Sequence, residues 1–115
     1  MIFEYMPGQD LYKRIKKDKK ISETQAFLYF SQLIKGLLFL NYNGICHRDI
    51  KPDNILFQND TTLKITDFSL AEYYSKNKME GVCGTPGYMA PEIFYQEKYN
   101  EKIDVYSLGV VLYTL

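Results

Sequence analysis

The sequence has no excess of charge of either sign: 14 Lys and Arg residues balance 14 Asp and Glu residues. This balance argues against a strongly basic nucleic-acid-binding protein and against an acidic solvating tail. Cysteine is also scarce, with only Cys46 and Cys83 present. Two cysteines are too few for a disulfide framework, so we expect a reducing compartment, the cytoplasm, with the nucleus as the alternative.

Long hydrophobic runs are missing as well. Residues 105–115 form the longest mainly apolar stretch, and it is shorter than the ~20 residues that a membrane-spanning helix needs. Glu4 lies where a secretion signal would need a basic and then an apolar segment. We therefore expect no membrane partner. Hydrophobic residues still make up 46% of the 115-residue chain, which is typical of one globular domain at most.

A basic stretch covers residues 13–20, with six Lys and Arg residues in eight positions. We interpret it as a solvated helix face and loop, because no aromatic side chains are interleaved with the charges to stack on bases. The alternatives, nucleic-acid or lipid contact, are less favoured. The sequence therefore predicts no nucleic-acid partner.

Helix signals occur at three places. Asp10 is a plausible N-cap for a short helix over residues 11 to about 17. Ser22 and Gln25 form a capping box for a long helix that ends near Gly44. Residues 100–115 are apolar on almost every side and predict a central core helix. Helical spacing predicts that the buried face of the long helix contains Phe27, Phe30, Leu33, Ile34, Leu37, Leu38 and Asn41.

Residues 55–57 and 63–66 predict a β-hairpin, which begins directly after a loop with the sequence HRDIKPDN at 47–54. Asp67 follows the second strand, so the hairpin should place it beside Asn54. A carboxylate and an amide carbonyl are hard oxygen donors, suited to Mg²⁺ that arrives with phosphates. Lys51 offers a positive charge to a phosphoryl oxygen, and Asp49 is available to accept a hydroxyl proton.

Four motifs then resemble those of eukaryotic protein kinases. Residues 47–54 are similar to the catalytic loop, and residues 67–69 (DFS) to the metal-binding Asp-Phe-Gly triplet. Residues 84–92 (GTPGYMAPE) resemble the end of the activation segment, and residues 104–109 (DVYSLG) the start of the central helix. The resemblance implies an α+β, protein-kinase-like fold that is partial: a mostly helical C-lobe with a small hairpin. Residues 1–115 would then be a truncated kinase domain without the N-lobe and the last C-lobe helices.

The implied function is ATP-dependent phosphorylation of serine and threonine hydroxyls on protein substrates, with Mg²⁺ as cofactor. Asp49 would orient the hydroxyl and accept its proton, and Lys51 would neutralise the transferred phosphoryl group. Asn54 and Asp67 would hold the metal. Lys51 and, in the activation segment, Thr85 match the serine/threonine branch of the family. We expect this activity from the full-length parent, because the fragment alone should be inactive.

The resemblance also implies an adenine site at the start of the chain. Asp10 would reach the ribose hydroxyls, although it could simply be a helix cap. Leu11 and Leu56 would enclose the adenine ring, although both could be ordinary core residues. The hinge would contribute Phe3 as gatekeeper and the backbones of Glu4 and Met6.

Two departures from the family pattern lead to separate expectations. Ser69 replaces the glycine of the metal-binding triplet, which costs about 1 kcal/mol if the backbone φ there must be positive. We expect reduced loop mobility and intact metal binding. Arg48 usually pairs with an activation-segment phosphate, but Gly81 occupies the expected phosphoacceptor position. We hypothesise that Glu80 supplies a standing negative charge instead.

Other functions remain open from the sequence. Ser69 and the lack of an upstream strand lysine suggest a pseudokinase, or a regulatory module that binds nucleotide or protein. A small-molecule kinase is a third possibility, but residues 84–92 resemble a peptide-docking segment that small substrates do not need. His47 is expected to pack and hydrogen-bond structurally rather than to take part in the chemistry.

Overall fold

The computed structural model describes residues 4–74, 79–95 and 98–115, so the predicted gatekeeper Phe3 lies outside the described residues. Along the described residues, the helices stand at the two ends of the chain and the very short antiparallel strands lie between them, which confirms the expected α+β class. A single 3₁₀ turn over Pro52–Asn54 precedes the hairpin. The elements are α1 (Leu11–Asp18), α2 (Glu23–Tyr42), β1 (Ile45–Cys46), β2 (Ile55–Phe57), β3 (Leu63–Ile65), β4 (Glu72–Tyr73), α3 (Glu92–Tyr95) and α4 (Lys102–Thr114).

The predicted helix caps are present. The Asp10 carboxylate accepts a hydrogen bond from the Lys13 amide at 2.8 Å and begins α1. The Ser22 hydroxyl accepts one from the Gln25 amide at 3.3 Å and begins α2. Each cap satisfies one of the amides that a helix start leaves unpaired, which contributes about 1 kcal/mol. Gly44 follows the end of α2 with a φ of 69°, a conformation that glycine adopts at little cost.

The buried face predicted for α2 is partly wrong. Leu33 and Leu37 are buried as expected, but Phe27 is 69% exposed and Leu38 is 61% exposed. Tyr29 and Leu40 complete the buried stripe instead. The reason is that α2 carries large apolar residues on nearly every side, so periodicity alone does not select the face. The contacts of α2 with β3, β1 and α4 select it.

The β2–β3 hairpin is confirmed, with Ile55 opposite Ile65 in an antiparallel register. Asn59 organises the turn, because its side-chain oxygen accepts hydrogen bonds from the amides of Thr61 and Thr62 at 3.0 and 2.8 Å. A second antiparallel pair, β1 with β4, was not predicted from the sequence. It joins the start of the 47–54 loop to the segment that follows Asp67.

Two buried apolar clusters hold the 47–54 loop from both sides. Ile50 belongs to the larger cluster, which α1, α2 and the hairpin share. Cys46 belongs to the smaller cluster, which contains residues around α3. Helix α4 contributes to both, with Leu108 in the larger cluster and Ile103 in the smaller one. Burial of apolar side chains on each side therefore fixes the base of the loop.

Helix α4 is a core helix, as predicted, but only over part of its surface. Ile103, Leu108 and Val111 are buried, whereas Leu112 and Tyr113 are exposed. Among the described residues, none of the helices is long and apolar enough to cross a membrane.

Candidate active site

A carboxylate from α4 holds the backbone of the 47–54 loop. Asp104 is completely buried and accepts hydrogen bonds from the amides of His47 at 2.7 Å and Arg48 at 2.9 Å. Arg48 has a φ of 66°, which costs a non-glycine residue roughly 1–2 kcal/mol. Hydrogen bonds to a charged acceptor are strong enough to offset this strain. The sequence placed Asp104 in a motif but did not reveal this anchoring role.

His47 links three parts of the site through its ring, as expected of a structural residue. It is completely buried. Its Nε2 donates to the Thr66 carbonyl at 2.9 Å, and its Nδ1 accepts from the Asp49 amide at 3.2 Å. This pattern needs a neutral ring with the proton on Nε2. The Phe68 ring packs edge-on at 4.9 Å between centroids, which ties the loop to the residue after Asp67.

Asp49 is the centre of a compact polar cluster. Its Oδ1 accepts a hydrogen bond from the Thr85 hydroxyl at 2.6 Å, and that hydroxyl accepts one from the Lys51 ammonium at 2.6 Å. Lys51 Nζ also lies 2.9 Å from Asp49 Oδ2. The Asn54 amide donates to the backbone oxygen of Asp49 at 2.9 Å and to Oδ2 at 3.0 Å. The structure therefore brings four of the predicted site residues into direct contact.

The surroundings of Asp49 keep it ionised. Burial raises the pKa of its carboxyl, but hydrogen bonds from Thr85, Lys51 and Asn54 and the charge of Lys51 together lower that pKa below its usual value. The side chain is still partly accessible, at 11% exposure. Asp49 can thus accept a hydrogen bond from an incoming hydroxyl.

The hairpin pairs Asn54 with Thr66, the residue directly before Asp67. The Thr66 amide and hydroxyl both donate to the Asn54 carbonyl, at 2.8 and 3.1 Å. The Asp67 side chain is exposed, and its pKa is lowered by hydrogen bonds from Ser69, although the nearby charge of Asp49 opposes the shift. An exposed, ionised carboxylate next to an amide is a donor set that fits Mg²⁺.

The two side chains could hold the metal without further protein ligands. Asn54 uses its amide nitrogen on Asp49, which leaves its side-chain oxygen to act as a ligand. Mg²⁺ commonly takes one or two protein oxygens and completes its octahedron with water and phosphate oxygens. Residues 4–74, 79–95 and 98–115 contain no group of three or more His, Cys, Asp and Glu side chains that could hold a metal ion alone.

The strain considered for Ser69 does not arise. Lys19, Arg48 and Asp67 are the non-glycine residues with a positive φ in the described part of the chain, and Ser69 is not among them. The backbone reversal falls one step earlier, on Asp67, whose φ is 60°. The Ser69 amide donates to the Asp67 carboxylate at 3.2 Å, which supports that conformation. Aspartate tolerates this region better than most residues.

The predicted adenine-site residues lie in different environments. Leu11 is completely buried in the larger cluster, so its prediction as an adenine contact is wrong: no face of the side chain is left for a ligand. Leu56 is half-buried and forms an isolated antiparallel bridge with Asp10. The Asp10 carboxylate caps α1 and pairs with Lys13 at 3.0 Å. Its cap role is therefore confirmed, and its ribose role stays a prediction.

The hinge residues Glu4 and Met6 also stay predictions. The Glu4 carboxylate pairs with Lys64 at 2.6 Å, so its side chain is directed to the hairpin. Met6 is half-buried. A cleft of about 370 Å³ lies between residues 7–9, α1 and residues 57–60, and it is lined by none of the predicted nucleotide-binding residues.

Arg48 and Glu80 are not partners, which corrects the expected pairing. Arg48 Nη1 lies 2.6 Å from Glu72 Oε2. Glu80 instead lies 3.1 Å from Lys98 Nζ. The reason is the unpredicted β1–β4 pairing, which places Glu72 opposite Cys46, close to Arg48.

The sequence is similar to those of known protein kinases. Residues 1–115 match the family model for the protein kinase domain. The chain is 44% identical to the ovarian-specific serine/threonine-protein kinase Lok of Drosophila melanogaster, over 99% of this chain and 25% of that protein. It is 39% identical to an Aurora kinase of Yarrowia lipolytica, over 98% of this chain and 30% of the relative. The chain thus spans about a quarter to a third of the length of these relatives.

Proposed function

Since the chain belongs to the protein kinase family, we propose that it carries the catalytic loop of a serine/threonine protein kinase, which transfers the γ-phosphate of ATP to hydroxyl groups of proteins. The observation that supports this most strongly is the contact of Asp49 with Lys51 and Thr85. Phosphoryl transfer depends mainly on positioned charges rather than on covalent chemistry. The relatives named above are serine/threonine or Aurora kinases by name.

Each residue has a defined task in this proposal. Asp49 accepts a hydrogen bond from the substrate hydroxyl and takes its proton as the new bond forms. Lys51 donates to a phosphoryl oxygen and balances its charge. Thr85 fixes the distance between Asp49 and Lys51, because its hydroxyl contacts both side chains. Asn54 and Asp67 would hold Mg²⁺, which neutralises phosphate charge when bound.

We further propose that the active protein is longer than this chain, because the chain covers only a quarter of Lok. The partners would be ATP and a protein substrate with serine or threonine at the reacting position. We also propose an intracellular location, the cytoplasm or the nucleus, which the two unpaired cysteines support, one of them the buried Cys46.

The test is phosphate transfer from labelled ATP by the full-length protein, with serine, threonine and tyrosine peptide libraries as acceptors. Asp49→Asn should lower kcat by about 10²–10⁴-fold, because it removes the proton acceptor. Asp53→Asn is the matched control, since Asp53 is an exposed aspartate of the same loop. It should leave kcat within about twofold.

The outcomes separate the alternatives. Equal effects of the two substitutions would contradict the role of Asp49. Tyrosine as the preferred acceptor would contradict the serine/threonine assignment. ATP binding without transfer by the wild-type protein would favour a regulatory nucleotide-binding module instead.

A further inference from the structure

We propose that Glu72 is a positioning residue for phosphoryl transfer: its carboxylate holds Arg48, and through Arg48 the catalytic loop and residues 84–85, without a phosphate on residues 79–85. This inference rests on the proposed kinase function and assigns a regulatory consequence to the same site. Three sets of contacts and the residue content of 79–85 support it.

The first support is the double fixation of the Arg48 side chain. Its Nη1 pairs with Glu72 Oε2 at 2.6 Å, and its Nε donates to the Leu70 carbonyl at 2.6 Å. The Arg48 side chain is only 16% exposed, whereas that of Glu72 is 44% exposed. The guanidinium is therefore largely withdrawn from water, and both short contacts come from the same stretch of chain. A guanidinium held at two nitrogens has little freedom to turn to another partner.

The second support is the backbone that carries Glu72. Strand β4 pairs with β1 so that Glu72 stands opposite Cys46, two residues before Arg48. The Tyr74 amide extends the pairing by donating to the Gly44 carbonyl at 2.9 Å. Glu72 is thus placed by main-chain hydrogen bonds, and its reach to Arg48 does not depend on a mobile loop.

The third support is the contact of Arg48 with the activation segment. A Cβ at Gly84 would lie 2.8 Å from the Arg48 carbonyl oxygen, so the two backbones pack directly. The next residue, Thr85, donates to Asp49, the residue after Arg48. A displacement of Arg48 would therefore move Asp49 and its hydroxyl partner together. The Arg48–Glu72 ion pair therefore affects the position of the reacting groups without touching them.

The fourth support concerns phosphorylation. Thr85 carries the sole hydroxyl group of residues 79–85. That hydroxyl is already hydrogen-bonded to Asp49 and Lys51. An acidic group on this stretch would also compete with Glu72, which already pairs with Nη1 of the guanidinium. Glu72 is one carboxylate rather than a phosphate, so its hold is weaker but permanent.

The experiment compares Glu72→Gln, Glu72→Asp and the control Glu23→Gln in the full-length protein. Glu23 is an exposed glutamate of α2, far along the chain from the site. Glu72→Gln should lower kcat about five- to tenfold, because a partly exposed charged contact to Arg48 is lost. The KM for ATP should stay within about twofold, since no nucleotide contact changes. Glu72→Asp, which keeps the charge, should recover part of the loss.

A second measurement reports how firmly the catalytic loop is held rather than how fast the enzyme turns over. Hydrogen exchange at the amides of residues 47–49 and 84–85 should be faster in Glu72→Gln than in Glu23→Gln. Phosphatase treatment of the wild-type protein should leave kcat unchanged. Equal kcat and equal exchange in the two glutamine variants would overturn the inference, and so would loss of activity on phosphatase treatment. If the wild-type protein transfers no phosphate, the proposed function fails, but the exchange comparison still decides whether Glu72 positions the loop.

Discussion

Replacing Asp104 with asparagine removes the charge that holds the catalytic loop and changes little else in shape. The carboxylate accepts hydrogen bonds from the amides of His47 and Arg48, at 2.7 and 2.9 Å, in a completely buried position. Asparagine keeps one acceptor oxygen and turns an amino group toward the second amide. One hydrogen bond to a charged group is lost, a buried N–H is left unpaired, and the other bond becomes neutral.

The expected cost is about 2–4 kcal/mol, from ~1.5–3 kcal/mol for a hydrogen bond to a charged group and a smaller loss at the weakened one. Urea unfolding of the full-length protein, followed by circular dichroism, measures it, with Asp53→Asn as a control expected within about 0.5 kcal/mol. Hydrogen exchange at the amides of His47 and Arg48 localises the effect. A loss below about 0.5 kcal/mol with unchanged exchange at these amides would refute the anchoring role of Asp104.

Three further predictions follow from the same contacts. Leu37→Ala should cost about 2–5 kcal/mol in unfolding free energy and Leu38→Ala less than about 1, because only Leu37 is buried; equal costs would contradict the face assigned to α2. Thr85→Val should lower kcat more than it raises the KM for ATP, while Thr85→Ser should retain most activity, as steady-state kinetics would show. The lowered pKa of Asp49 stabilises the fold above the ordinary carboxyl value of 3.8, and this contribution is lost as the pH falls through the still lower folded pKa. Acid unfolding of Asp49→Asn should therefore depend less steeply on pH, and an unchanged slope would argue against the shift.

Local signals in the sequence were sufficient for the helix starts and the hairpin. Ser22 and Asn59 each act on residues two or three positions away, and such short-range hydrogen bonds are visible as residue patterns. The relative position of Asn54 and Asp67 was also predictable, because only the hairpin separates the two residues. The predicted convergence of the loop and the strand end depended only on that local geometry.

Contacts between distant parts of the chain could not be predicted in this way. Asp104 reaches His47 across 57 residues of chain, and β4 pairs with β1 through two residues on each side. Neither of these two contacts leaves a periodic pattern in the sequence. The sequence does not point to Glu72 for this reason, and it favours Glu80 only because Glu80 is next to Gly81, the expected phosphoacceptor position. The buried face of α2 was misjudged because its partners, not its own residues, decide which apolar side is covered.

The most direct test of the account is whether Asp67 carries the metal that accompanies ATP. Calorimetric titration of the full-length protein with ATP, with and without Mg²⁺, compares the wild type with Asp67→Asn and with Asp60→Asn, an exposed aspartate in the hairpin turn. We predict that Mg²⁺ tightens ATP binding in the wild type and in Asp60→Asn, and that Asp67→Asn loses about tenfold or more of this gain, at least ~1.4 kcal/mol. An equal Mg²⁺ effect in all three proteins would contradict the assignment of Asp67 as metal ligand.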